Sequence, residues 1–598
     1  MKSFWKTVLA VVVGTIIVSI ISTLFFFSFL GALSAGSSGK PVIPKSGVLD
    51  INMAQFNLAE QTAEENPFAS LTPATLMSGD MENVPTVGLL DAVNAVHAAA
   101  EDPGVKYIFL RPDGYASGIA HAEEFRAALK AFHDSGKAIV AYTENLATGS
   151  YYIASVADKV YSTSYPGAMT NFNGISSQLI FLKDVLDKLG INIQLIRHGK
   201  YKSAGEMYIR SSASPENLEQ NQVMINSIWK TLGGAIAESR GIELATLEAM
   251  IDRLELCLPD DFVEKGLVDE LLTREQLKSK LADLAVVEKY SQVSMIPFAD
   301  YAAAKKKVST AKDKIAIIYA DGEIVEGSGT QNIAGKRFAR IISDIREDES
   351  VKAVVLRVNS PGGSVLASDR IKAEIDLLRE VKPVVASYGS YAASGGYWIS
   401  NACEKIYSDA GTLTGSIGVF SIIPEGSKLL KKVGVGVTTV SSARHGDLYS
   451  MFKPLDAAEH AYMQRSVEDI YDRFTSIVAE GRGLEKDYVD EIGQGRVWTG
   501  ADALGIGLVD EIGTLEDALR WTADLAGEPD LDKWDIVGYP APEDSMTQML
   551  QMFGTKPYDD DIFSGTPLEK TARVFRQWWS DKDKTYTFAR MPYEIVLE

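Results

Sequence analysis

The sequence predicts an α/β protein of two tandem copies of one domain, with helical arms, behind a single membrane-spanning helix. Three observations carry this expectation. First, Phe109-Leu110-Arg111-Pro112-Asp113-Gly114 overlays Val355-Leu356-Arg357-Val358-Asn359-Ser360, a displacement of 246 residues that also sets Asp158-Lys159-Val160-Tyr161-Ser162 on Glu404-Lys405-Ile406-Tyr407-Ser408. It shrinks to 244 at Gly190 and Gly434, and to 241 where Gly266-Leu267-Val268-Asp269-Glu270 meets Gly507-Leu508-Val509-Asp510-Glu511. A register kept over roughly 200 residues with small insertions marks a duplication. Second, apolar β-branched runs alternate with stretches of helical period in both copies. Third, residues 8–33 carry no charge.

That uncharged run exceeds the roughly 20 residues a bilayer requires and the 7–15 apolar residues of a signal-peptide core. Residues 1–34 are therefore expected to be an uncleaved anchor, with cleavage near Ala32-Leu33-Ser34-Ala35 as the alternative. Lys2 and Lys6 before it favour a cytoplasmic N-terminus. Residues 35–46, rich in Gly, Ser and Pro, read as a linker.

The first copy is expected over 47–310 and the second over 311–530. Strands at 47–51, 105–111 and 138–142 alternate with helices at 89–100 and 121–135. Their counterparts are strands at 314–319, 351–357 and 383–388, and helices at 337–346 and 368–381. Such alternation implies parallel strands joined by right-handed crossovers, and continuous apolar strands imply a sheet covered on both faces. Helical arms follow at about 215–271 and 454–525. The remaining 531–598 form a C-terminal extension, read as lacking a partner in the first copy from about Asp535. Within it, Thr566-Pro567-Leu568-Glu569 is a helix-opening capping box, followed by the apolar stripe Leu568, Ala572, Phe575 and Trp579.

The net charge of −21 argues against a nucleic-acid partner. Cys257 and Cys403 are too few for a disulfide framework, show no metal spacing, and read as two buried thiols. No cofactor or metal is indicated.

The chemistry concentrates where the copies diverge. Ala392-Ala393-Ser394-Gly395-Gly396-Tyr397 in the second copy has Thr148 at the serine position of the first. A serine between small residues at a strand-to-helix turn suits a nucleophile, and the Gly395 N–H at a helix start suits an oxyanion; a plain N-cap serine is the alternative. Asn359-Ser360-Pro361-Gly362-Gly363-Ser364 adds paired glycines whose N–H groups can face an anion, whereas the first copy reads Asp113-Gly114-Tyr115-Ala116-Ser117-Gly118. Conversely, Lys202 in Lys200-Tyr201-Lys202-Ser203 is replaced by Gly446 in the second copy. Each copy thus keeps what the other lost. The proton acceptor has two candidates. His445-Gly446-Asp447 could serve Ser394 within one copy. Lys202 could serve it across copies, provided burial brings its pKa down from about 10.4 toward neutrality. Ser416, in Thr412-Leu413-Thr414-Gly415-Ser416-Ile417-Gly418, could hold a neutral amine in one rotamer.

Asn-Ser-Pro-Gly-Gly-Ser at 359–364, Ala-Ala-Ser-Gly-Gly-Tyr-Trp-Ile-Ser at 392–400 and Thr-Leu-Thr-Gly-Ser-Ile-Gly-Val at 412–419, in this order, resemble the signal peptide peptidase A family of the ClpP/crotonase superfamily. The apolar N-terminus, the duplication and Lys-Tyr-Lys-Ser-Ala at 200–204 resemble its long, two-domain form. The resemblance implies two ClpP/crotonase-like domains. It implies Ser394 as nucleophile, Lys202 as general base, Ser416 as the residue orienting the lysine, and Gly362, Gly363 and Gly395 as the oxyanion hole. It further implies a serine endopeptidase with a Ser–Lys dyad that digests released signal peptides and other apolar, extended peptides. The enzyme would be a homotetramer on the periplasmic side of a bacterial inner membrane. His445 has no place in that pattern. The rival readings are a crotonase-like acyl-CoA enzyme and an inactive membrane scaffold.

Overall fold

The computed structural model describes residues 41–62, 84–165, 167–330, 332–542 and 587–590. The expected anchor at 8–33 and the expected amphipathic helix at 566–579 lie outside the described residues. Among the described residues, no helix is long and apolar enough to cross a membrane.

In chain order the first copy contributes β1 (Gly47–Asn52), β2 (Asn57–Ala59), β3 (Thr86–Gly88), β4 (Val105–Arg111), β5 (Ile139–Thr143), β6 (Asn145–Ala147), β7 (Lys159–Thr163), β8 (Met169–Asn171), β9 (Asn192–His198), β10 (Glu270–Leu272) and β11 (Met295–Pro297). The second contributes β12 (Lys314–Asp321), β13 (Ile324–Val325), β14 (Ile333–Ala334), β15 (Val351–Ser360), β16 (Gly362–Ser364), β17 (Val384–Ala393), β18 (Ile406–Ser408), β19 (Leu413–Gly415), β20 (Val419–Glu425), β21 (Val497–Thr499), β22 (Glu511–Ile512) and β23 (Asp535–Tyr539), and β24 (Thr587–Arg590) closes the order.

The first copy's sheet runs β10-β7-β5-β4-β1-β11 with every pairing parallel. The second repeats this order as the parallel path β22-β18-β17-β15-β12-β23 within an eight-stranded sheet, in which β19 also pairs parallel with β17 and β21 pairs antiparallel with β19. Leu49, Ile108, Ile139 and Val160 fill the first sheet, and Ile317, Val355, Val385 and Ile406 the second, all fully buried or nearly so. Helices Leu89–Glu101 and Ile119–Asp134 cross over in the first copy, Gly335–Glu347 and Val365–Arg379 in the second.

One expectation is corrected by β23. It pairs with β12 as β11 pairs with β1, so the stretch from Asp535 does have a first-copy partner, and the sheet continues past residue 530. β11 and β23 are edge strands of only three and five residues, and so short a run hid the match. A second correction concerns the thiols: Cys403 is buried but Cys257 is exposed. Cys257 sits in the turn between helices Leu244–Asp252 and Pro259–Glu264, whose buried side is filled by Leu247, Leu256 and Phe262 instead.

A third sheet, of six strands in the order β14-β13-β16-β24-β20-β9, draws on both copies and on the C-terminal segment.

Candidate active site

Ser394 lies between β17 and the helix Gly395–Ser400, at φ 56° and ψ −112°. A non-glycine residue in that conformation is strained, and such strain persists only where surrounding contacts impose it. Here the Ser394 N–H donates to Gly415 O at 2.8 Å, and its carbonyl accepts from Trp398 N at 2.8 Å. The helix opens at Gly395, while Tyr391, Ala392 and Ala393 stay extended to pair with β19. The Ser394 hydroxyl does not cap the helix, so the N-cap reading is set aside.

Lys202 arrives from the other copy. β9 pairs antiparallel with β20 from Val419↔His198 to Glu425↔Asn192, joining a strand of the first copy to the second copy. Four residues later the chain turns inward. Tyr201 N donates to Gln494 O at 2.9 Å, and Arg197 holds Lys202 O at 2.8 Å. Gln220, on the helix Pro215–Arg240, donates to Tyr201 O and Ser203 Oγ at 3.0 Å each. A side chain on Gly495 would come within 2.5 Å of Lys202 Cβ, so only glycine lets this wall approach the lysine stem.

The amine of Lys202 is fully buried with three oxygens around it: Ser394 Oγ and Ser416 Oγ at 2.9 Å each, and Ser416 O at 3.1 Å. All three are uncharged. Burial is the sole cause acting on the amine, and it pushes the pKa well below the ordinary lysine value. Ser416 sits at φ 49°, fixed by its N–H to Arg496 O at 2.7 Å.

The glycine turn forms β16. Gly362 has φ 100° and Gly363 φ 157°, and a Cβ on Gly363 would stand 1.9 Å from Ile324 O. The Gly362 N–H donates to Ser360 Oγ at 3.2 Å. A Cβ on Gly396 would meet Ser360 O at 2.8 Å, so the serine helix and the glycine turn are packed backbone to backbone.

The structure does not bring His445 to this place. Its Nδ1 lies 3.1 Å from Glu459 Oε1 in a partly exposed loop, while Lys453 takes both Asp447, at 2.7 Å, and Glu459, at 2.8 Å. His198 stacks on Tyr471 at 3.9 Å.

The sequence reading missed the braces between copies. The helix Ile119–Asp134 leans on the second copy through its acidic pair. Glu123 accepts from Ala410 N at 3.1 Å and Gly411 N at 2.8 Å, just ahead of the strand that leads to Ser416. Glu124 accepts from Leu515 N at 2.9 Å and meets Arg357 at 2.7 Å, while Glu60 accepts from Arg357 Nε at 2.8 Å. Arg357 in turn donates to Ser387 Oγ and Tyr388 O on β17, the strand that ends at Ser394. An arginine inside the apolar run Val354-Val355-Leu356-Arg357-Val358 was the available signal, since a buried guanidinium needs buried acids. Burial, reinforced by Glu124 and Glu123, raises the Asp409 pKa well above its ordinary value.

The sequence profile described as Peptidase family S49 matches residues 131–288 and 376–528, one segment in each copy. The chain is 33% identical over 544 residues to "Protease 4" of Haemophilus influenzae, covering 88% of this chain and 87% of that protein. It is 36% identical over 462 residues to "Protease 4" of Salmonella typhi, covering 75% and 74%. It is also 32% identical over 466 residues to "Serine protease SPPA, chloroplastic" of Arabidopsis thaliana, covering 76% and 68%.

Proposed function

The chain belongs to peptidase family S49 and is a serine-type peptidase, and we propose that it is an endopeptidase whose dyad is Ser394 from one copy and Lys202 from the other. The observation that carries the reading is the 2.9 Å contact between Lys202 Nζ and Ser394 Oγ, made by a fully buried amine with no charged partner among its contacts. A neutral amine has two N–H bonds and one lone pair. Ser416 O and Ser416 Oγ accept the two N–H bonds, which leaves the lone pair for the Ser394 hydroxyl proton.

Ser394 Oγ attacks the scissile carbonyl as its proton passes to Lys202 Nζ. The oxyanion is met by N–H groups of the Gly362-Gly363 turn and of Gly395. The lysine then protonates the leaving amine, and later takes a proton from the water that clears the acyl-enzyme.

Substrate shape follows from the third sheet. β16 and β20 stand one strand apart, each offering an edge to an extended chain, and the slot between them takes a strand antiparallel to both. Main-chain pairing of this kind accepts extended peptides and leaves folded proteins uncut. The substrates proposed are detached signal peptides, whose 7–15-residue apolar cores suit such a slot. The apolar run at 8–33 would tether the enzyme to a bacterial inner membrane with both copies on the periplasmic side, and a ring of four chains is the proposed assembly.

A serine-directed peptidyl fluorophosphonate tests this. It should label Ser394 in the intact chain and in His445→Ala. Labelling should be lost in Lys202→Ala and in Lys202→Arg, whose guanidinium stays protonated. Labelling that survives Lys202→Ala and fails in His445→Ala would replace the dyad with a histidine-based site.

A further inference from the structure

A cavity of about 350 Å³ lies where the two copies meet, walled by the first copy's turn Gly114 to Gly118 and by Asp321 and Asn359 of the second. Its size falls at the small end of the roughly 300–1,000 Å³ typical of small-ligand sites. Among the described residues, neither Ser394 nor Lys202 lines it. Phe56 and Tyr115 give it aromatic walls, and the Tyr115 hydroxyl already donates to Gly118 O at 2.7 Å.

The polar groups of the cavity favour a cationic donor. Arg357 already serves two carboxylates, Glu60 at 2.8 Å and Glu124 at 2.7 Å. Asp321 has an amide rather than a cation as its hydrogen-bond partner, Asn359 Nδ2 donating to its Oδ1 at 2.9 Å. The carboxyl is open to the cavity, yet the surrounding protein and Glu60 push its pKa up to about 6, against the pull of Asn359 and Arg357. His121, only 5% exposed, also lines the cavity, and neither of its ring nitrogens makes a hydrogen bond. Its Nε2 stands 3.4 Å from Glu60 Oε1. Burial pushes the imidazole pKa down, so one ring nitrogen is an acceptor for an arriving N–H. Buried polar atoms without partners are rare, and this one borders a cavity. The acids and the imidazole do not close on one point as metal ligands do: among the described residues that spacing is met by His445, Asp456 and Glu459, elsewhere in the chain. An organic ammonium fits instead, with separate N–H groups for Asp321 and His121 and an apolar part against Phe56 and Tyr115.

We propose that this cavity binds the α-ammonium group of a short apolar peptide, with Asp321 as its counter-ion and a ring nitrogen of His121 as its acceptor. The choice of a peptide rests on the peptidase activity, since each cleavage releases a fragment with a new α-amine, whose pKa is about 7.7–8.0. The cavity also adjoins the chemistry. Asn359 directly precedes Ser360, which accepts the Gly362 N–H at 3.2 Å, and Asn359 Oδ1 accepts from Tyr391 N at 3.2 Å, three residues before Ser394. Binding should be strongest between pH about 6, above which Asp321 is an anion, and pH about 8, below which the α-amine is a cation. Glu60, His121 and Arg357, the other titratable groups there, keep their charge states across that window.

The test is calorimetric titration of the full chain carrying Ser394→Ala, which prevents turnover, with leucyl-leucinamide and with its N-acetyl form at pH 7. The free amine should bind about ten-fold more tightly than the acetylated peptide, the scale of one charge-assisted hydrogen bond. Adding Asp321→Asn keeps an oxygen for Asn359 and removes the charge, so it should bring the two peptides to equal, weak affinity. Adding Ala116→Trp fills the cavity from an exposed position of its wall and should abolish binding of both. Equal affinities in the starting chain, no detectable binding, or binding that neither added substitution alters would each overturn the proposal. The dyad is read separately, by fluorophosphonate labelling of the chain that keeps Ser394, so its failure and the failure of this site are distinguishable.

Discussion

The two copies share one frame and differ at four points, which together make up the proposed site. The strand orders β10-β7-β5-β4-β1-β11 and β22-β18-β17-β15-β12-β23 coincide position for position. Where the second copy has Ser394, the first has Thr148, whose hydroxyl donates to Gly174 O at 3.2 Å. Where the second has Ser416, the same displacement of 244 residues reaches Phe172. Phe172 packs edge-on against Tyr151 at 5.2 Å and Phe262 at 5.9 Å. Where the second has the β16 glycines, the first has the turn Gly114 to Gly118, which lines a cavity of about 350 Å³ with Phe56, Glu60 and His121. The first copy has thus filled its polar pocket with an aromatic ring and opened its anion turn. The second copy has lost the lysine arm: the stretch facing Gly446 is an exposed loop, while β9 delivers Lys202 from the first copy. A duplicated domain can divide one site between its halves when an arm of one half pairs with the core of the other.

Substitutions at the matched positions should break this comparison unequally. Ser416→Ala removes one of the two acceptors that aim the amine and leaves the backbone carbonyl in place. It should lower kcat by about ten-fold, less than the roughly 10²–10⁴-fold a general base contributes, with KM nearly unchanged in steady-state kinetics. A loss as large as that of Lys202→Ala would make Ser416 a participant in proton transfer rather than a guide. Thr148→Ala, at the serine-equivalent position, should leave kcat/KM nearly unchanged and cost only the stability of a single neutral hydrogen bond, about 0.5–1.5 kcal/mol. A large loss there would mean the first copy still does chemistry.

The same contrast explains what could be read beforehand. Long apolar strands and amphipathic crossovers were legible because burial on both faces imposes their composition, as in Val354-Val355-Leu356 and Ile315-Ala316-Ile317. Ser394 and Lys202 stood out because a duplicated chain supplies its own control, each copy showing a different residue, Thr148 or Gly446, at the other's position. Other features rest on partners far apart in sequence, which no local pattern records. Glu60, Glu124 and Arg357 meet across the copy junction from three separate segments. β24 carries only Thr587, Phe588, Ala589 and Arg590, too short a run to announce a strand, and it is ordered by two edges more than 160 residues away. Cys257 was misjudged because residue type predicts burial only on average, and its turn is filled by other apolar side chains.

The central claim is that Lys202 is neutral where the enzyme works. Titration of the Lys202 side chain by NMR in the full chain, with lysine labelled at 13Cε and the signal assigned by its loss in Lys202→Arg, measures this directly. Burial disfavours the ammonium form, so the amine should deprotonate well below the ordinary lysine value. Because only the neutral amine accepts the Ser394 proton, kcat/KM should rise with pH along a single limb whose midpoint matches that titration. A Lys202 signal that stays protonated across the active pH range, or a rate plateau already reached below the lysine's midpoint, would contradict the account.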